Sequence, residues 1–421
     1  MISVRGEIAV ASDKSISHRG IMLGSIADGI TKIENFLMGE DCLSTIECFR
    51  KLGIKIDVSE NEVLVHGKGM AGLIGTAEQL DAGNSGTTTR LLTGLLSGYN
   101  FTSVINGDSS LQKRPMKRII EPLSLMGADI CAVDGNFCPL TINGGGLVSI
   151  DYTLPVASAQ IKSGIILAAL NAEGTTNITE PQKSRDHTEN MLAAMGGNIK
   201  RDGNIISVSK TEKLVSSEIT VPGDISSAAF FIVLALISKN SELIIRDVGI
   251  NETRTGIIDV LLKMGGDIRL ENKRIICGEP IADIVVKSSD LKAVEVGGDI
   301  IPRLIDEVPI LAVAFAFADG KSRISGAKEL RVKESDRIKT VLEMLNTANV
   351  QTEEFEDGFS VFGTDVVSGG RFMSYMDHRI AMSAKVLSLM ARGESFIDGF
   401  DCVNVSYPDF LATLDKILVK F

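Results

Sequence analysis

Ser12-Asp-Lys-Ser-Ile-Ser-His-Arg-Gly-Ile-Met-Leu-Gly-Ser-Ile-Ala27 begins with polar and charged residues and runs into a mostly apolar stretch. A turn at Gly29 and a short strand over 31–35 follow, and the same order returns five more times. Apolar helices are predicted over 15–27, 87–96, 160–170, 226–237, 308–317 and 379–390. Each is too poor in polar positions for a surface helix, so each is expected to be buried. The matching strands fall over 31–35, 101–106, 175–179, 241–246, 321–325 and 395–398. An amphipathic helix comes next. In five of the six units a polar strand then begins from a signature such as Leu125-Met-Gly-Ala-Asp-Ile or Lys263-Met-Gly-Gly-Asp-Ile. The turns recur about every 65–80 residues, longer than the common solenoid periods, so each repeat is read as a small folding unit.

Three repeats precede Val221-Pro-Gly-Asp224 and three follow it, and 421 residues exceed what one core usually holds. The division expected is residues 12–223 as one domain, and residues 1–11 with 224–421 as a second, discontinuous one. A strand over 2–10 precedes the first helix and is left over. The last repeat stops before a final polar strand, so the N-terminal strand is expected to close it.

The helix entrances are the informative part. They read Ser12–Arg19, Asn84-Ser-Gly-Thr-Thr-Thr-Arg90, Ser158-Ala-Gln-Ile-Lys162, Asp224-Ile-Ser-Ser227, Asp306-Glu307 and Asp377-His-Arg379. Ser, Thr, Asn and Asp cap helices, and a helix start offers unpaired N–H groups to anions. Lys14, Arg19, Arg90, Lys162 and Arg379 stand at the end of the helix dipole where cations do not belong. A solvated rim would account for one such cation; the recurrence points to bound anions.

The net charge of −11 argues against nucleic acid as the main partner, and clustered cations in an acidic chain suit small anions. No apolar run reaches membrane-spanning length. The first strand begins almost at residue 1, leaving no room for a leader, so a cytoplasmic protein is expected. The six cysteines (Cys42, Cys48, Cys131, Cys138, Cys277, Cys402) show no metal-ligand spacing and are read as reduced, mostly buried thiols. No HExxH, P-loop or dinucleotide fingerprint occurs, so neither metal nor cofactor is expected. Charged loops complete the picture: Asn106–Arg118 with four cations, Lys183-Ser-Arg-Asp-His-Thr188, and Arg331-Val-Lys-Glu-Ser-Asp-Arg337. The last, by itself, is equally well a helix-start set of ion pairs.

Taken together, Ser12–Arg19, Gly83-Asn-Ser-Gly-Thr, Gly107-Asp-x-Ser-Leu-x-x-Arg-Pro-Met, Ser158-Ala-Gln-Ile-Lys-Ser, Asp306-Glu, Arg331–Arg337 and Asp377-His-Arg-Ile-Ala-Met closely resemble the 5-enolpyruvylshikimate-3-phosphate (EPSP) synthase family, in the family's order along the whole chain. The resemblance implies an α/β fold: a two-domain inside-out α/β barrel of six βαβαββ-like repeats, three per domain, with buried parallel helices. It implies transfer of the enolpyruvyl group of phosphoenolpyruvate to the 5-hydroxyl of shikimate 3-phosphate, in aromatic amino-acid biosynthesis, by a cytoplasmic enzyme expected to be monomeric. It also implies inhibition by glyphosate at the phosphoenolpyruvate site.

By the same resemblance Lys14, Ser15, Arg19, Ser158, Ala159, Gln160 and Lys333, with Ser184 and Arg185, hold shikimate 3-phosphate. Phosphoenolpyruvate lies against Lys14, Gly86, Arg114, Gln160, Arg337 and Arg379. The reaction needs a base for the hydroxyl and an acid for the methylene carbon. Asp306 fits the first role, Glu334 the second, and Lys14 can share in proton transfer. Cations around Glu334 would hold its pKa down, so it must be desolvated or receive its proton from a neighbour. One position departs from the family: Val405 stands where many members carry a Lys before the Ser/Thr-Phe-Pro-Asp run, and Lys385 is a weak substitute. The sister enzyme acting on UDP-N-acetylglucosamine is the nearest alternative, but its loop cysteine is missing from 107–118. A non-enzymatic anion-binding repeat protein is the other, and Asp306 and Glu334 among cations speak against it.

Overall fold

The computed structural model describes residues 2–60, 62–276 and 278–420. The chain forms two compact units: the described residues of 12–221 with 276–279, and those of 1–11, 222–275 and 280–421. The first division falls at Ala11/Ser12 and the second at Val221/Pro222, two residues before the sequence-based cut. Of the cysteines, Cys42, Cys48, Cys138 and Cys402 are buried free thiols and Cys131 is exposed, while Cys277 lies outside the described residues. Among the described residues no helix is long and apolar enough to cross a membrane.

The six apolar helices form where expected: Lys14–Ile26, Gly86–Ser97, Ala159–Ala169, Ile225–Ile237, Val308–Ala316 and His378–Met390. Their sequences are mostly apolar around the helix, and most of their residues are buried; Ile225–Ile237 is the clearest case. Several hydroxyls inside them are satisfied locally. Thr89, Thr93 and Ser97 donate to the carbonyls of Ser85, Thr89 and Thr93 at 2.9, 2.7 and 2.8 Å, which lets hydroxyls sit in a core without stranded donors. Two of these helices touch backbone to backbone. A Cβ at Gly94 would lie 2.0 Å from the Gly164 carbonyl oxygen, so any side chain there would force Gly86–Ser97 and Ala159–Ala169 apart.

In the second, third, fifth and sixth repeats, the strand before the buried helix pairs in parallel with the strand after it. In all of these but the sixth, two antiparallel strands complete a four-stranded sheet. The first and fourth repeats exchange their leading strands. Glu218–Thr220, just before the fourth helix, pairs with Asp28–Glu34 of the first repeat. Ile2–Ala9, just before the first helix, pairs in parallel with Glu242–Gly249 of the fourth, from Arg5↔Glu242 to Ala9↔Arg246. The N-terminal strand was expected to close the last repeat. It does so only at its start, where Ile2–Val4 pair antiparallel with Leu418–Lys420, and its main partner is the fourth repeat. The chain end, expected to stop short of a strand, forms this brief one.

Candidate active site

In the unit built on 12–221, caps set the helix entrances: the Asp13, Ser85 and Ser158 side chains accept from the N–H groups of Ile16, Thr88 and Ile161. One turn in, Arg19 is buried at 4% exposure and ties three elements together. Its guanidinium donates to Thr188 Oγ1 at 2.6 Å, Ser163 Oγ at 2.8 Å and the Ser15 carbonyl at 3.0 Å. Burial lowers its pKa to about 10, with the Arg185 charge adding to the fall, yet it stays protonated at neutral pH. Lys14 pairs with Asp41 at 2.9 Å.

A second set of groups meets at Gly86. Arg90 donates to Gln160 Oε1 at 2.7 Å and to the Pro115 carbonyl at 3.1 Å, and Gln160 donates to Thr87 Oγ1 at 3.0 Å. Arg114 donates to Asn84 Oδ1 and, at 3.4 Å, to Ser110 Oγ. A Cβ on Gly86 would stand 2.9 Å from Arg90 Nη1, so the missing side chain is what lets that guanidinium close on this helix start, while Arg114 Nη1 at 3.5 Å would be in ordinary contact. Lys117 in the same loop is exposed and pairs with Glu121 at 3.6 Å, as a surface residue would.

Lys162 does not behave as an anion-binding cation. It is fully buried, with Nζ 3.0 Å from Glu180 Oε2 and 2.7 Å from Glu189 Oε1. Two carboxylates already satisfy its charge, and sequence could not show that they converge on it. Ser184 donates its hydroxyl to Glu180, close to Lys162. His18 is buried beside Thr45, its Nδ1 2.7 Å from Thr45 Oγ1, and burial pushes its pKa down to about 3.

The other unit holds a lattice of carboxylates and cations around Arg337, which is 1% exposed. Its guanidinium reaches Glu334 Oε2 at 2.7 Å, Asp306 Oδ1 at 3.3 Å, and Asp377 through Nε at 2.8 Å and Nη2 at 3.2 Å. Lys333 Nζ lies 3.2 Å from the same oxygen of Asp306. Burial would lower the Arg337 pKa, but the charges of Asp377 and Glu334 override it and the group is held cationic. Burial likewise pushes Asp377 up, and the Arg337 charge reverses that, so Asp377 stays ionised. The Asp377 side chain also caps the sixth buried helix through the Arg379 N–H at 3.0 Å. Arg379 donates to the Asp306 carbonyl at 3.2 Å and lies 3.9 Å from Glu307. The ion pair Glu334–Arg337 is therefore more than the local helix-start contact that its spacing allows, since Asp306 and Asp377 reach it from other elements. Val405 ends the short 3-10 helix Phe400–Val405. Lys385 lies six residues beyond Arg379, about 9 Å further along the helix axis, and so is poorly placed to stand in for the absent lysine.

The sequence model of the family described as EPSP synthase (3-phosphoshikimate 1-carboxyvinyltransferase) matches residues 2–414. The chain belongs to the EPSP synthase family. The 3-phosphoshikimate 1-carboxyvinyltransferase of Thermoanaerobacter sp. strain X514 is 52% identical over 414 residues, covering 98% of each chain. That of Bacillus subtilis strain 168 is 48% identical over 420 residues, covering 99% of this chain and 98% of the relative. The EPSP synthase structure from Acinetobacter baumannii superposes with a TM-score of 0.89 at 46% identity, over 100% of this chain and 98% of that one. These relatives favour the EPSP synthase reading over the sister enzyme and the binding protein.

Within this family member, sequence reasoning missed the groups that hold the expected residues in place. Asp377 was visible as the start of a motif but was given no role beyond that of a helix cap. Thr188 and Ser163, which take Arg19, stood inside sequence motifs without a role, and Glu180, which takes Ser184, carried no signal in one dimension; their roles become evident only when the third repeat folds.

Proposed function

We infer that this chain transfers the enolpyruvyl group of phosphoenolpyruvate to the 5-hydroxyl of shikimate 3-phosphate, giving EPSP and inorganic phosphate. The observation that carries the reading is that two carboxylates, Asp306 and Glu334, share the single buried guanidinium of Arg337. Pure anion binding gains nothing from carboxylates, whereas addition followed by elimination needs a base and an acid at fixed separation. Asp306 takes the proton of the 5-hydroxyl as its oxygen attacks C2 of phosphoenolpyruvate, and Glu334 delivers a proton to the C3 methylene. The resulting tetrahedral intermediate then loses a methyl proton and phosphate, which restores the carbon–carbon double bond. Arg337 and Lys333 both lie against one oxygen of Asp306 and fix the carboxyl where it can act as a base. Glu334, side chain about a quarter exposed, can be reloaded from solvent, and on this reading Lys14 shares in the proton transfers.

On this reading Lys14, Ser15, Arg19, Ser158, Ala159, Gln160, Ser184, Arg185 and Lys333 hold shikimate 3-phosphate, and Gly86, Arg114, Gln160, Arg337 and Arg379 face phosphoenolpyruvate with Lys14. Arg19 and Arg114, donating to hydroxyls, an amide and a carbonyl, are arranged to take phosphate or carboxylate oxygens. The protein is read as a cytoplasmic monomer, in keeping with its free thiols; gel filtration with light scattering checks the monomer. The direct test is phosphate release with both substrates. Release should need shikimate 3-phosphate and should not occur when UDP-N-acetylglucosamine replaces it; the opposite preference would refute the assignment.

A further inference from the structure

We propose that Glu180 is a positioning residue for shikimate 3-phosphate, acting through Ser184 and held in place by Lys162. The proposal rests on the reading above that Ser184 meets that substrate. Glu180 follows directly on the strand Thr175–Thr179 and is 1% exposed. One of its oxygens, Oε1, accepts both the Ser184 N–H at 3.1 Å and the Ser184 hydroxyl. The other, Oε2, accepts from Lys162 Nζ at 3.0 Å and lies 3.6 Å from Arg201 Nη2. Lys162 also donates to the Ser184 carbonyl at 3.3 Å, so N–H, hydroxyl and carbonyl of one residue are all tied to this ion pair. Arg201 continues the clamp by binding Asp186 at 2.9 Å, two residues further along the same loop.

Stability alone does not account for such a cluster. Lys162 and Glu180 are fully buried and Glu189 nearly so, and a buried ion pair is usually no better than well-packed apolar residues. What the cluster does deliver is a single orientation for Ser184: its N–H and hydroxyl hydrogen are committed to Glu180, which leaves Oγ to accept from a hydroxyl of the substrate, in a loop that has no regular backbone ladder of its own between Glu180 and His187. Pre-organising a ligand contact in this way lowers the ordering cost of binding, and the gain appears only for the ligand that the contact meets.

The test is steady-state kinetics on the full-length enzyme for Glu180→Gln, Glu180→Asp, Ser184→Ala and the double variant Glu180→Gln/Ser184→Ala. Glu180→Asp keeps the charge opposite Lys162, so it guards against a simple folding defect, and thermal unfolding of each variant is followed alongside. Glu180→Gln and Glu180→Asp should each raise KM for shikimate 3-phosphate by about tenfold or more, as for loss of a hydrogen bond to a charged group. KM for phosphoenolpyruvate and kcat should stay within about twofold of the parent. The double variant should be no worse than Ser184→Ala, because both changes remove one contact. The proposal is overturned if both Glu180 variants leave KM for shikimate 3-phosphate unchanged, if they shift both KM values and kcat together, or if the effects of Glu180→Gln and Ser184→Ala multiply. Failure of the underlying reading would look different: the parent enzyme itself would release no phosphate with shikimate 3-phosphate.

Discussion

The arginines placed at the substrate site are held differently in the two units. Around 12–221, Arg19, Arg90 and Arg114 donate to hydroxyls, amide oxygens and backbone carbonyls. Around Arg337 the partners are carboxylates, and three of them share one guanidinium. An arginine held by neutral groups keeps its charge for an incoming anion, whereas one surrounded by carboxylates serves to fix those carboxylates. On the proposed reading the first unit therefore contributes chiefly to binding and the second chiefly to proton transfer.

The sharpest way to break this contrast is to remove a carboxylate. Asp306→Ala, and separately Glu334→Ala, should cut turnover by about 10²–10⁴-fold while shikimate 3-phosphate still binds. Near-normal turnover in a folded variant would remove that residue from its role.

A second prediction concerns how the binding unit tolerates acid. His18 is neutral when folded, with its pKa near 3 against an ordinary value of 6.5. Burial is the main cause; Lys14 and Arg19 add to it, and Asp41 opposes it. The unfolded chain takes up a proton that the folded one refuses. Stability is therefore full above pH 6.5 and falls as the pH drops toward 3, at up to about 1.4 kcal/mol per pH unit. Chemical denaturation at stepped pH should show the fall beginning near neutrality, and His18→Asn should flatten it down to about pH 5. An unchanged slope would mean that His18 is not the sensor.

Smaller in effect is Gly86→Ala. The added methyl meets the Arg90 guanidinium at 2.9 Å, the tip of a flexible side chain, so the fold should survive while the pocket edge moves. Glyphosate, bulkier than phosphoenolpyruvate, should lose affinity by roughly tenfold or more, with a lesser rise in KM for phosphoenolpyruvate. Equal inhibition constants for parent and variant would place Gly86 away from that pocket.

The smallest effect is expected at Met376, just ahead of Asp377. Tyr375 and Met376 both adopt left-handed backbone, φ 54° and 57°, and Met376 is 70% exposed. Met376→Gly should relieve roughly 1 kcal/mol of strain without changing kcat, if the carboxylate lattice is held by its own charges rather than by this turn. A fall in kcat would show that the turn helps to aim Asp377.

Most of the fold was legible because the buried helices are apolar all round, a pattern that surface helices do not show. The exchange of leading strands was not, because the partners of Ile2–Ala9 and Glu218–Thr220 lie far away in sequence. The motif residues at the helix entrances were visible one by one. Their partners were not: Lys162 looked like an anion-binding cation until Glu180 and Glu189 were seen to converge on it, and Asp377 until then was only a cap. Spacing within a helix is local, whereas charge pairing across repeats depends on the packed fold.

The division of labour itself is tested most directly by calorimetric titration with shikimate 3-phosphate, run beside turnover, on Arg19→Lys and Asp306→Asn. Arg19→Lys keeps the charge but loses the forked geometry, so binding should weaken by roughly tenfold or more. Asp306→Asn should bind within a few-fold of the parent while turnover collapses. If Asp306→Asn loses binding as severely as Arg19→Lys, or if Arg19→Lys binds normally, the two clusters do not divide binding from proton transfer.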